Sequence, residues 1–232
     1  MHTILAYREN ERSLSDSHVM NDTFRKLEKI RQNEILDAAA EVFADHGYHG
    51  ASIPAICSKA GISVGALYKY FNNKEALYIA ILQRMADLLI SEFYGRIQIH
   101  QESLLDTIQQ ILTNMTETPL FFQYKQYVIL YIDVGSYSMN GFAESITDRF
   151  ENIGREFYTD LVEHFKKSRQ VRTEIKTDHA AYFIDSYVTL YAYTLVSAHH
   201  RLRFDRFFTN GDESISHVQR ISIILDSIKM LL

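Results

Sequence analysis

The chain predicts an all-α fold, and three observations carry that expectation. Only two Pro and nine Gly occur in 232 residues, a composition that leaves long helices uninterrupted. Apolar residues recur at spacings of three and four over most of the length, and no strand-like alternation competes over a comparable stretch. Residues that start and stop helices stand at the ends of these stretches.

Taken in order, residues 1–22 are polar and aperiodic and are expected to form a mobile extension, with Met20 as a second possible start. A long amphipathic helix follows, with Ile35, Ala38, Ala39, Val42 and Phe43 on one side and Gly47 as its stop. The densest stretch is Ser52 to Leu77, SIPAICSKAGISVGALYKYFNNKEAL. Ser52 can accept from a free backbone N–H of a helix whose apolar residues are Ile53, Ile56, Cys57 and Ala60. Pro54 is harmless in a first turn, whose amides lack intrahelical acceptors. Gly61 suits the left-handed position that ends this helix, and Ser63 can cap a second one. In that second helix Leu67 and Phe71 point inward, leaving Val64, Gly65, Ala66, Tyr68, Lys69 and Tyr70 on or beside the outer face. The pattern is a helix-turn-helix within a three-helix head.

With RQNEILDAAAEVFADHGYHGAS ahead of it, this stretch closely resembles the TetR family of bacterial transcriptional regulators from about Arg31 to Leu82, most densely in GISVGALYKYFNNKEAL. The resemblance implies that Lys69 contacts a guanine edge and that Tyr68 contacts a base or a phosphate. It further implies that Val64 and Ala66 touch thymine methyls, that Gly65 allows close approach, and that Tyr70 holds a phosphate. Ser52 and Lys74 would clamp the DNA backbone from helix N-termini. Pro54 stands where some family members carry an Arg, so one base-reading donor is missing and DNA shape is expected to share in specificity.

Charge is the feature least suited to this expectation. The chain has a formal net charge of −5, and residues 1–75 hold nine Lys or Arg against ten Asp or Glu. Phosphate attraction must therefore come from arrangement. Arg25, Lys26, Lys29 and Arg31 cluster ahead of the first helix, whereas Lys59 reads as a solvated helix charge; Glu34, Asp37, Glu41 and Asp45 fit the opposite side of the first long helix.

Beyond the head the helical pattern continues from Lys74 to about Ile97 and then reads as helices near 101–117, 120–135, 141–168, 178–205 and 214–231. The expected organisation is an extension over 1–22, a helix-turn-helix DNA-binding head over 23–73, and a larger helical ligand-binding and dimerisation domain over 74–232. One recognition helix supplies little specificity, so a homodimer reading two half-sites of a double-stranded operator is expected. Its interface is assigned to Ile215, Val218, Leu225 and Ile228 on the last helix, with Gln219, Arg220 and Lys229 on other faces, and to Ile184, Val188, Leu195 and Leu202 on the helix before. Phe121, Tyr124, Tyr127 and Tyr131, and the stripe Phe183, Tyr187 and Tyr191, are candidates to wall a pocket for a small apolar or aromatic ligand; Asp133 stands among them. Such a ligand would release DNA by favouring a second conformation, so a repressor is the leading expectation.

No signal-peptide pattern or spanning apolar run is present, and a cytoplasmic protein with no membrane partner is expected. The single Cys57 excludes an internal disulfide framework. His199 with His200, and Asp160 with His164, lack further ligands at recognisable spacing, and no nucleophile elbow, phosphate loop or zinc-hydrolase motif occurs. Neither an enzyme nor a bound cofactor or metal is expected. The alternative is a helical adaptor whose head binds another protein.

Overall fold

The computed structural model describes residues 19–97, 103–117, 124–135, 152–209 and 213–231, and every regular element among them is helical. The chain divides into two compact units, residues 1–90 with 129–150 and residues 91–128 with 151–232.

In the first unit α1 (Asp22–Arg25) precedes α2 (Lys29–Gly50), α3 (Ile53–Ala60), α4 (Val64–Tyr70) and α5 (Lys74–Leu88). Phe24, Ile35, Phe43, Ile56, Leu67, Phe71, Leu77 and Ile81 form one buried core, each large side chain contributing about 1.5–3 kcal/mol by leaving water. Gly47 breaks α2 with φ 68°, a sign of φ that glycine adopts without steric cost. α5 is part of this packing: Arg84 donates to both oxygens of Asp37 at 2.6 and 2.8 Å, and Tyr78 meets Phe43 edge-on at 5.0 Å. The division expected at residue 73 therefore falls inside the unit.

The helix expected from Lys74 to about Ile97 is α-helical only to Leu88. A π-helical turn, Leu89–Phe93, and a 3-10 turn, Tyr94–Arg96, follow. A π turn interrupts the regular hydrogen-bond ladder, so no single unbroken α-helix covers the stretch.

α6 (Leu104–Glu117), α8 (Asn152–Lys167), α9 (Thr177–Val196), α10 (Ala198–Phe208) and α11 (His217–Leu231) belong to the second unit, and α7 (Lys125–Val134) begins there and ends in the first. α8 lies along α9, and α11 packs on α6. Leu112, Leu161, Phe165, Ile184, Val188, Tyr191, Ile224 and Ile228 fill the interior.

One expectation for this unit needs correction. The single helix over 178–205 is two, because Ser197 turns extended (φ −112°, ψ 118°) and its Oγ accepts from the N–H of His200 to start α10. Arg220, assigned only to a face other than the apolar stripe, is 2% exposed and pairs with the similarly enclosed Asp205 through three N–H···O bonds of 2.9 to 3.0 Å.

Candidate nucleic-acid interface

α4 is placed by caps at its start and apolar anchors on its inner side. Ser63 Oγ accepts from the N–H of Ala66 at 3.1 Å, and Leu67 and Phe71 are buried. Ahead of it, Ser52 Oγ accepts from Ala55 N–H at 3.3 Å, and Gly61 ends α3 in the left-handed region (φ 62°, ψ 41°). Arg31 secures the turn from outside, donating from Nη2 to the carbonyl of Ala60 at 2.8 Å and from Nη1 to Glu34 at 2.8 Å. Arg31 thus acts within the head.

The outer side of α4 is open. Val64 is 41% and Tyr68 50% exposed, Gly65 and Lys69 are exposed as well, and Ala66 is half-buried. Lys69 makes no ion pair among the described residues. Val64 and Tyr68, four residues apart, stand together on this face. Tyr70 is half-buried, its ring 5.5 Å from that of Phe24. It covers the head's own apolar surface as well as facing outward.

Several charges of the head are paired within it. Three acids of α2 are each met by a cation: Glu34 by Arg31, Asp37 by Arg84 and Glu41 by Lys59. The hydrogen bond to Glu41 holds the Lys59 amine above its usual pKa, and both side chains of the pair are exposed, so Lys59 is the solvated helix charge expected from the sequence. Lys74 is also engaged, its Nζ lying 4.9 Å from the Tyr48 ring and 3.5 Å from the carbonyl oxygen of His49. Partial burial there pulls its pKa down. Ser52 is exposed, and its hydroxyl proton is available to a phosphate oxygen while its Oγ caps α3. Cys57 is buried and its thiol pKa is raised by that burial, which makes it an inert core residue.

Residues 35–81 match the profile of the bacterial regulatory proteins of the tetR family. The chain carries a TetR-family head. The HTH-type transcriptional activator FasR of Mycolicibacterium smegmatis is 48% identical over 61 residues, 26% of this chain and 28% of FasR. The matched stretches span 28% to 38% of the length of the curated relatives. Among solved structures, Salmonella enterica GusR is similar with a TM-score of 0.65 at 20% identity, covering 89% of this chain and 98% of that one. The transcriptional regulator FadR from Bacillus subtilis, solved in complex with stearoyl-CoA, gives a TM-score of 0.62 at 17% identity over 86% of this chain and 98% of that one. At these identities the likeness shows the fold, a TetR-type head followed by a larger helical part.

The residues assigned to the rest of the chain are less uniform in placement. Phe121 lies outside the described residues. Tyr131 and Asp133 belong to the first unit, where the carboxylate of Asp133 adds to burial in raising the pKa of the Tyr78 hydroxyl. In the second unit Tyr127 and Tyr191 are buried, Tyr124 and Tyr187 are half-buried, and Phe183 is 46% exposed. Phe183 therefore faces outward, because residues eight apart on an α-helix differ by about 80° in direction. Periodicity missed another aromatic group here: Tyr94 and Phe157 lie 4.4 Å apart, Tyr158 is fully buried beside them, and Gly154 admits Asp185 so closely that a Cβ would meet Asp185 Oδ1 at 3.1 Å. Burial, then Tyr94 and Asp185, raises the Tyr158 hydroxyl pKa.

The interface residues divide by burial. Ile184, Val188, Ile215 and Ile228 lie inside the chain's own core, where a partner cannot reach them; Leu195 and Leu225 are half-buried; Leu202 and Val218 are 54% and 77% exposed. Phe207 adds to the outer apolar surface of α10, beside a groove of about 300 Å³ lined by His199, Leu202, Arg203, Arg206 and Phe207. Among the described residues no three His, Cys, Asp or Glu side chains are grouped to hold a metal ion, and no helix is long and apolar enough to cross a membrane.

Proposed function

We propose that this chain is a DNA-binding transcriptional regulator acting as a homodimer on a palindromic operator. The observation that carries the reading is α4: a capped, doubly anchored helix whose open side presents Val64, Gly65, Ala66, Tyr68 and Lys69, a width and chemistry suited to the major groove. Lys69 supplies the base-edge donor, Tyr68 and Tyr70 add base or phosphate contacts, and Ser52 holds backbone phosphate at the start of α3. Lys74 joins as a phosphate ligand by moving its amine off the Tyr48 ring.

The dimer is supported by the two-half-site requirement and by the exposed Leu202 and Val218. The ligand is proposed to be apolar or aromatic, on the strength of the tyrosines and phenylalanines of the larger helical part and of the stearoyl-CoA held by a regulator of the same fold. Ligand entry would favour a state whose two heads no longer match the half-site spacing. Repression follows where the operator overlaps a promoter.

The test is selection of genomic fragments by the purified full chain, repeated with long-chain acyl thioesters and aromatic acids. The proposal expects one enriched inverted repeat, released by a ligand of this class. A head that retains no duplex, or that binds with no dependence on salt, contradicts the proposal and favours the protein adaptor, since phosphate contacts release counterions and weaken steeply with salt.

A further inference from the structure

A seven-residue helix is nearly all ends, and its last carbonyls have no partner within the helix. Caps and the Arg31 contact hold the start of α4, but the turn that carries Lys69 and Tyr70 needs a hold of its own. Asn21 supplies it from 48 to 51 residues away. Its backbone N–H donates to the carbonyl of Tyr70 at 2.9 Å, and its Nδ2 donates to the carbonyl of Lys69 at 3.2 Å and to Asn72 Oδ1 at 3.2 Å. Three residues on, Phe24 is fully buried with its ring 5.5 Å from Tyr70 and 4.7 Å from Phe71.

Resting on the DNA-binding reading above, we propose that Asn21 is a positioning residue, which with Phe24 latches the C-terminal turn of α4 so that Lys69 meets its base at a fixed angle. The bonds from the Asn21 side chain are solvent-exposed. Water can replace an exposed bond at little cost in stability. Water cannot fix a direction, so losing the latch costs recognition before it costs folding. Asn21 also stands at the N-cap of α1 without a capping side-chain bond, and its amide instead donates to the Lys69 carbonyl and to Asn72.

The experiment uses the full chain with Asn21→Ala and, to keep a small polar residue at the N-cap, Asn21→Ser. Each is titrated against the selected duplex and against a mixed-sequence duplex over a salt series, alone and combined with Lys69→Ala. Both variants are expected to lose about tenfold in affinity for the selected duplex, a share of what a base contact provides. Mixed-sequence binding should fall by less than about twofold and the salt slope should stay close to the parent's, since the phosphate contacts outside this turn, from Ser52 and Lys74, are kept. With Lys69→Ala present, Asn21→Ala should change affinity by less than about twofold, because coupled residues are non-additive. Unchanged affinity for the selected duplex, an undiminished effect in the Lys69→Ala background, or equal loss on both duplexes overturns the latch. A parent chain that selects no duplex overturns the DNA-binding reading itself, and the latch with it.

Discussion

Arg220 grips both carboxylate oxygens of Asp205 inside the second unit, joining α11 to α10 across fifteen residues of sequence. Removing one partner strands a buried charge. Asp205→Ala should therefore lower unfolding stability by about 3–5 kcal/mol, read from urea denaturation. A loss under about 1 kcal/mol, the range of exposed pairs, would contradict the burial assigned here.

Gly61 offers a cleaner backbone test. A Cβ there would meet Arg31 Nη2 at 3.9 Å, an ordinary contact, so the cost of Gly61→Ala is conformational and comes from φ 62°. The expected loss is about 1–2 kcal/mol, and Gly61→Asn should lose less, since Asn tolerates this region better. Equal melting of Gly61→Ala and the parent chain would show that the turn does not need the left-handed conformation.

The same turn shows what could be read from residues alone. Ser52, Ser63 and Gly61 act through neighbours three or four positions away, and Leu67 with Phe71 obeys the helical period, so the head was legible. Phe24 was not, because α1 has only four residues and its ring partners lie 46 and 47 positions on. The burial of Arg220 was not legible either, because a charge set beside an apolar stripe can be placed inside only once its partner on another helix, Asp205, is known. The interface stripe failed in part for the reason that split it: a period of three and four marks the inner face of α9 and α11, whereas Leu202 sits on α10 beyond the break at Ser197.

That split gives a paired prediction. If the proposed dimer forms through this surface, Leu202→Asp with Val218→Asp should yield a folded monomer, since both side chains are exposed in the chain. Ile184→Asp should instead unfold the chain, because it buries an unpaired carboxylate. Sedimentation velocity with circular dichroism distinguishes them; a folded dimer carrying both surface changes would place the interface elsewhere.

The pH dependence has a defined sign. Burial, then the charges of His199 and Arg203, holds the His200 imidazole below its usual 6.5. The unfolded chain therefore takes up the proton first as pH falls. This contribution to stability is whole above about pH 6.5 and declines below it, toward the lower folded value. The urea midpoint should drop between pH 7.5 and 5.5, and His200→Gln should make that drop shallower. An identical drop in the variant would remove His200 as its source.

The outward side of Val64 to Tyr70 as the surface that meets DNA is tested most directly by anisotropy titration of the selected duplex with the parent chain and with Lys69→Ala and Tyr68→Ala. Loss of the Lys69 contact should weaken specific binding by about 1–3 kcal/mol, roughly 5- to 150-fold, with helix content unchanged. Parent-like affinity in both variants would contradict the assignment of α4 as the reading helix.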